Sequence, residues 1–227
     1  MENVPELLKE SIFADFIARL KRLGYATEYG VVKAEEYGVP QHMRRLLLLA
    51  SKRGSISLIG PTNDERHVVT VRNAIGGLPA VKAGSASGDD PLQTASALSE
   101  INMRRIRASI PNGTWRDWPE ELRLRCHKKD SGQTYPSVYG RMAWDETSPT
   151  ITTQFYMYGT GRFGHPEQDR ALTLREGAIL QSFPKDYKFI RPGEKLSRKA
   201  IARHIGNAVP PKLGEAVGKS IIAACRG

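Results

Sequence analysis

Between residues 104 and 139 the chain interleaves Arg104, Arg105, Arg107, Arg116, Arg123, Arg125, Lys128 and Lys129 with Trp115, Trp118, Tyr135 and Tyr139. Cations beside aromatics suit phosphate contacts and base stacking, so the stretch reads as a nucleic-acid surface. The formal net charge of +10 over 227 residues agrees, since it favours a polyanion over a neutral metabolite. Arg44 and Arg45 each offer a fixed fork of donors that stays charged, and Asn207 offers both a donor and an acceptor. Two other patterns fail their own tests. Gly159, Gly161 and Gly164 spell a Gly-x-Gly-x-x-Gly string, but the polar, proline-broken residues 165–169 follow where a phosphate-binding helix would have to begin. Cys126 and Cys225 form no Cys-x-x-Cys pair, so neither a disulfide framework nor a zinc site is expected, and His127 beside Cys126 does not make one.

These side chains need a scaffold. Residues 5–23 place Leu7, Leu8, Ile12, Phe13, Phe16, Ile17 and Leu20 at helical spacing, ended by Gly24. Residues 25–34 alternate as a strand does, and 46–50 form an apolar run suited to a strand buried on both faces, which together suggest part of a parallel α/β sheet. A short element at 70–78 precedes a tract rich in Gly, Ser, Ala and Asp at 82–90, where a domain boundary is expected. From 91 to 168 no period dominates, and such irregular stretches often carry recognition. Helical spacing returns at 173–182, where Thr173 and Glu176 are placed as a capping box, and at 210–224, a closing helix that needs a partner surface. With 40% hydrophobic residues the chain can bury a core. The absence of a membrane-length apolar run, signal peptide or disulfide pattern predicts a cytoplasmic protein.

Four islands stand in one order: Glu2-Asn3-Val4-Pro5, Tyr37-Gly38-Val39-Pro40-Gln41, residues 170–184 and Gly206-Asn207-Ala208-Val209-Pro210-Pro211. In that order they resemble the second half of a DNA cytosine-5 methyltransferase. The resemblance implies an α/β fold: the second half of a Rossmann-like sheet dependent on S-adenosylmethionine, plus an irregular, mostly β and loop target-recognition domain. It implies catalytic-domain residues at 1–78, recognition residues at 79–168, and a return through 169–227 to the closing helix. By the same resemblance, Glu2 meets N3 and the amino group of a flipped cytosine, its carboxyl pKa raised by burial so that it can act as an acid. Arg45 would reach O2 of that base, while Gln41 and Arg44 would face DNA; the family pattern Gln-x-Arg-x-Arg is broken at Met43, so Arg44 is a candidate to take over a phosphate contact. Arg141, Thr150, Thr152, Gln154, Arg162 and His165 are the candidates for base or phosphate contact in the recognition segment. Arg175 and Glu176 are expected to be scaffold, and Asn207, Ala208 and Val209 to line part of the S-adenosylmethionine pocket. No metal is implied.

Two family features are missing. A glycine-rich cofactor loop and a Pro-Cys nucleophile precede the Glu-Asn-Val island in such enzymes, whereas Cys126 follows Arg125 and Cys225 follows Ala224. The expected partners are therefore double-stranded DNA and a polypeptide carrying the N-terminal half of the methyltransferase, with no methyl transfer by this chain alone. A non-catalytic, sequence-specific DNA-binding module and a truncated remnant are the alternatives.

Overall fold

The computed structural model describes residues 1–63, 68–191 and 193–226. In chain order the regular elements are β1 (Glu2–Asn3), α1 (Ser11–Arg22), β2 (Ala26–Lys33), β3 (Gln41–His42), β4 (Arg44–Ser51), α2 (Val71–Ile75), α3 (Glu100–Ala108), β5 (Ser148–Pro149), α4 (Leu174–Leu180), α5 (Arg198–Asn207) and α6 (Pro211–Arg226). They divide between two units, Met1–Val69 with Val209–Gly227, and Thr70–Ala208. The small-residue tract at 82–90 lies inside the second unit. No described helix is long and apolar enough to cross a membrane.

In the first unit β4 is central, flanked by β1 and β2. Both pairings are antiparallel, not parallel as expected. The reason is chain length: a parallel crossover needs about a dozen residues or more, usually in a helix, and the shorter link from β2 to β4 carries a tight 3-10 turn at Ala34–Tyr37 and the two-residue β3 but no crossover helix. β1 and β2, joined through α1, then run in the same direction with β4 inserted between them. The leucine run of β4 is buried on both faces. Leu46 and Leu48 pack on Phe13 and Ile17 of α1, whereas Leu47 joins Tyr37, Met43, Leu213 and Ala216. Gly38 closes the turn at φ +78°, a left-handed conformation that glycine adopts without penalty. The Glu35 carboxylate then holds the return, accepting from Met43 N at 3.2 Å and facing His42 Nδ1 at 2.8 Å. Several apolar side chains remain exposed on this unit, among them Ile12 at 69%, Phe16 at 42% and Ile222 at 52%.

The core of the second unit is built on α4, every residue of which is buried. Its start is a reciprocal cap: Glu176 N donates to Thr173 Oγ1 at 3.1 Å and Thr173 N donates to Glu176 Oε2 at 2.8 Å. Leu174, Ala178 and Leu180 pack with Ile151, Phe155, Ile201 and Ile205. Gly177 faces Phe155 so closely that a Cβ there would fall 2.1 Å from the ring. Gly177→Ala should therefore destabilise this unit by about 1–3 kcal/mol through overpacking, read as a lower urea midpoint with an unchanged slope.

Two helices were not anticipated. Residues of α3 lack a continuous apolar stripe, and only Ile106 is fully buried. α5 extends through Gly206 and Asn207, which are the end of a helix rather than a free loop. The stretch 91–168 is also less β-rich than expected. Besides β5, its β pairing is confined to isolated bridges such as Pro111 with Arg141 and Arg141 with Gly164. Side chains, above all Arg141, satisfy backbone carbonyls that a ladder would otherwise engage.

Candidate functional site

Antiparallel register brings Glu2 and Arg45 together. Glu2 lies opposite Leu47, so Arg45, two residues back along β4, is its diagonal neighbour on the same face. Arg45 Nε meets Glu2 Oε1 at 2.7 Å, and Arg45 Nη1 donates to the Arg44 carbonyl at 2.9 Å. The side chains are 22% and 24% exposed for Arg45 and Glu2, so the burial expected of the carboxyl is partial. A carboxyl and a guanidinium thus stand side by side at the solvent boundary, with Arg45 Nη2 making no hydrogen bond among the described residues. That arrangement can offer two adjacent contacts to the polar edge of a planar ring.

Met43 belongs to the core, 2% exposed, which explains how the chain tolerates a thioether where the family pattern has an arginine. Arg44, next along, is exposed and stays available for an anion. Gln41 is fully buried, which withdraws its amide from the direct DNA contact expected of it.

Arg141 is a second correction. It is buried, and all five of its N–H donors are used inside its unit: Nε on Ser109 O, Nη1 on the His165 and Gln168 carbonyls, and Nη2 on Ile106 O and Asp169 Oδ1, at 2.8 to 3.2 Å. Nothing is left for DNA. His165 is likewise internal, its Nδ1 accepting from Glu167 N at 3.1 Å and Gln168 N at 2.9 Å. Burial pushes its pKa down to about 4, only partly opposed by the Glu176 charge. Because the folded value lies below the unfolded one, the ring stays neutral in the fold, and stability should fall as pH drops from about 6.5 to about 4, by up to ~3 kcal/mol. His165→Asn, whose side-chain oxygen can accept the same amides, should flatten that part of the stability profile measured by urea titration at each pH.

Of the remaining candidates, Thr152 and Gln154 are exposed, Thr150 is half-buried, and Arg162 lies along Gly140 with its Nε enclosed and, among the described residues, without a hydrogen-bond partner. Trp115 and Trp118, expected to stack on bases, are core instead. They pack with Leu122, Trp115 stacks on His127 at 4.2 Å, and Trp118 Nε1 donates to Ser109 Oγ at 2.9 Å. Arg105 lies over the rings of Trp118 and Tyr139, and its Nε donates to Leu122 O at 2.9 Å, so it too is structural. Tyr135, 70% exposed, keeps a free face. Ser109 went unnoticed in sequence, although it also meets the buried Tyr158 hydroxyl at 2.9 Å; a lone serine between Ala108 and Ile110 carries no signal. The decoy glycines serve packing: a Cβ at Gly159 would strike the Tyr139 ring at 2.9 Å, and one at Gly164 would strike the Gly140 carbonyl at 2.9 Å.

Near the end of α5, a Cβ on Gly206 would fall 2.5 Å from the Thr152 carbonyl carbon, so only glycine lets this turn lie against the threonine-bearing segment. Asn207 is exposed, and among the described residues its side-chain amide makes no hydrogen bond. Ala208 O accepts from Gln181 Nε2 at 2.7 Å, and Val209 is 43% exposed. Among the described residues no cluster of His, Cys, Asp and Glu could hold a metal ion.

Residues 1–223 match the C-5 cytosine-specific DNA methylase family. The chain belongs to that family. It is 51% identical over 224 residues to the Type II methylase M.HgiDII of Herpetosiphon aurantiacus, covering 97% of this chain and 63% of that protein. It is 37% identical over 217 residues to the Type II methyltransferase M1.BsuMI of Bacillus subtilis (strain 168), covering 94% of this chain and 48% of that one. The C-5 methylase chain thus spans about half to two thirds of the length of these curated relatives. Its α/β fold is similar to the crystal structure of a prophage-encoded DNA modification methyltransferase of Escherichia coli, with a TM-score of 0.69 at 21% identity, covering 100% of this chain and 69% of the other. The methyl donor of the family is S-adenosylmethionine.

Proposed function

We propose that this chain supplies the base-contacting carboxyl, the target-recognition residues and part of the cofactor wall of a DNA cytosine-5 methyltransferase, acting on DNA in the cytoplasm. The observation that carries the reading is the Glu2–Arg45 pair at 2.7 Å. With a cytosine rotated out of the duplex, Arg45 would move its free donors onto O2 while the Glu2 carboxyl binds N3 and the amino group. A proton from Glu2 at N3 lets the ring accept the electron pair of a thiolate adding to C6, which makes C5 nucleophilic. S-adenosylmethionine, when bound, supplies the methyl group. Asn207, with a donor and an acceptor unspent, fits a carboxylate or ribose of that molecule, and Ala208 and Val209 would line its path.

The thiolate is not in these residues. Cys126 and Cys225 are both exposed and lie outside a Pro-Cys context, and no glycine-rich cofactor loop is present. We assign both features to a further stretch of polypeptide that forms the rest of the Rossmann-like sheet. Exposed Ile12, Phe16 and Ile222 support a further packing surface on the first unit. In this reading 79–168 carries target recognition through Thr150, Thr152, Gln154 and Arg162, while Arg44 of the first unit meets phosphate. The test is methyl transfer to duplex DNA by the chain alone and mixed with a polypeptide bearing the glycine-rich loop and Pro-Cys. Turnover is expected only in the mixture; robust turnover by the chain alone would overturn the division of labour, and salt-dependent duplex binding without turnover in either case would leave a DNA-binding module.

A further inference from the structure

Beside the buried tryptophans of the second unit is a cavity of about 370 Å³ lined by Trp115, Arg116, Glu120, Arg123, His127, Lys128 and Gln133. In two of these residues one polar atom is enclosed and, among the described residues, has no hydrogen-bond partner: Arg123 Nε and His127 Nδ1. A buried polar atom without a partner is costly; Arg123 Nε is a donor and His127 Nδ1 is one in the tautomer that carries its proton there, so the pair points to a ligand that supplies acceptors. His127 is 5% exposed and held flat against Trp115, so its ring cannot swing out to find water. Arg123 is fixed as well, its Nη2 donating to Arg116 O at 2.6 Å, while Arg116 lies over the Trp115 ring and donates from Nη2 to Gln133 O at 3.2 Å. Lys128 is the looser member, paired with Glu120 at 2.8 Å on the rim.

We infer that this cavity is a phosphate-binding pocket, in which Arg123 Nε–H and His127 Nδ1–H donate to one phosphate while Arg116 and Lys128 supply charge at its mouth. The inference deepens the DNA-recognition reading and rests on it only for the source of the phosphate, a backbone diester. Three cations against one carboxylate make the mouth net positive, and the volume exceeds what a bare oxyanion fills, leaving room for an attached sugar. Burial and the positive charges of Arg105 and Arg123 hold the His127 imidazole below its ordinary range. Besides these, Arg116, Lys128, Glu120 and Tyr139 are the titratable groups around it.

The test follows the His127 ring by NMR titration in the full chain, with a His127→Asn spectrum for its identification. A nonspecific duplex is expected to raise the His127 pKa by at least about one unit, with Arg123→Gln removing the rise while the ring stays stacked on Trp115. The same substitution should weaken duplex binding about three- to tenfold at low salt and reduce the salt slope by about one. A rise with millimolar inorganic phosphate alone, and none with duplex, would assign the pocket to free phosphate. An imidazole titration unmoved by both, in the unaltered chain, would overturn the pocket. Neither readout requires methyl transfer, so failure here and failure of the methyltransferase reading remain separate.

Discussion

Glu2→Gln, in a preparation assembled with the Pro-Cys polypeptide, should slow methyl transfer by roughly 10²–10⁴-fold, the usual range for a lost general acid. Glutamine retains the shape and can still accept from Arg45, but it cannot deliver a proton to N3. The fold should survive, because the Glu2–Arg45 pair is about a quarter exposed and an ion pair near water contributes only about 1 kcal/mol or less. The loss should therefore appear in kcat, with duplex affinity nearly unchanged. A variant that turns over within twofold of the parent would remove Glu2 from the chemistry. Arg45→Ala gives the complementary outcome: base positioning suffers, and the lost O2 contact should appear in KM as well as kcat.

Arg170→Met should destabilise the second unit by about 3–5 kcal/mol, the range for leaving one member of a buried pair alone. Arg170 is fully buried, donates from Nη1 and Nη2 to both Glu176 oxygens at 2.7 Å, and from Nε to Val81 O at 3.0 Å. Removing the guanidinium strands a carboxylate that is 1% exposed and that also caps α4 through Thr173. Set against total domain stabilities of about 5–15 kcal/mol, the loss is a large fraction of the whole. Arg170→Met combined with Glu176→Leu should recover part of it, since no charge is then left without a partner, although the cap is lost. Urea unfolding followed by tryptophan fluorescence measures both, as Trp115 and Trp118 are buried in this unit. A single variant within 1 kcal/mol of the parent would show that the pair is not the keystone of the segment.

Local signals were readable wherever cause and effect lie within a turn or two of chain. The capping box at Thr173 and Glu176, the stop of α1 at Gly24, the buried run of β4 and the closing helix α6 all depend on neighbours in sequence, and all formed near the expected residues. Strand direction was misread, because the periods of residues 25–34 and 46–50 are the same in either orientation and only the short link between them forces the reversal. Among site residues, type alone misled. Arg141 and His165 look like DNA contacts by chemistry, yet Arg141 is saturated by four backbone carbonyls and a carboxylate from distant segments, and His165 is enclosed and accepts from the amides of the turn that follows it. Trp115 and Trp118 suggest stacking platforms until their packing on Leu122 is known.

By itself the sequence determined the ordered islands that place the chain among the C-5 methylases, the local helix starts and stops, and the absence of a Pro-Cys nucleophile, because these are properties of residue identity and short spacing. Only the tertiary structure decided that Glu2 meets Arg45 through antiparallel register, that Met43 belongs to the core, that Arg141 is withdrawn from DNA, and that Arg123 and His127 line a common cavity, each with one enclosed nitrogen that has no hydrogen-bond partner among the described residues. The physical reason is that burial and hydrogen-bond saturation are set by which distant segments pack together. An arginine spent on five internal acceptors and one left for a phosphate are the same letter in the chain.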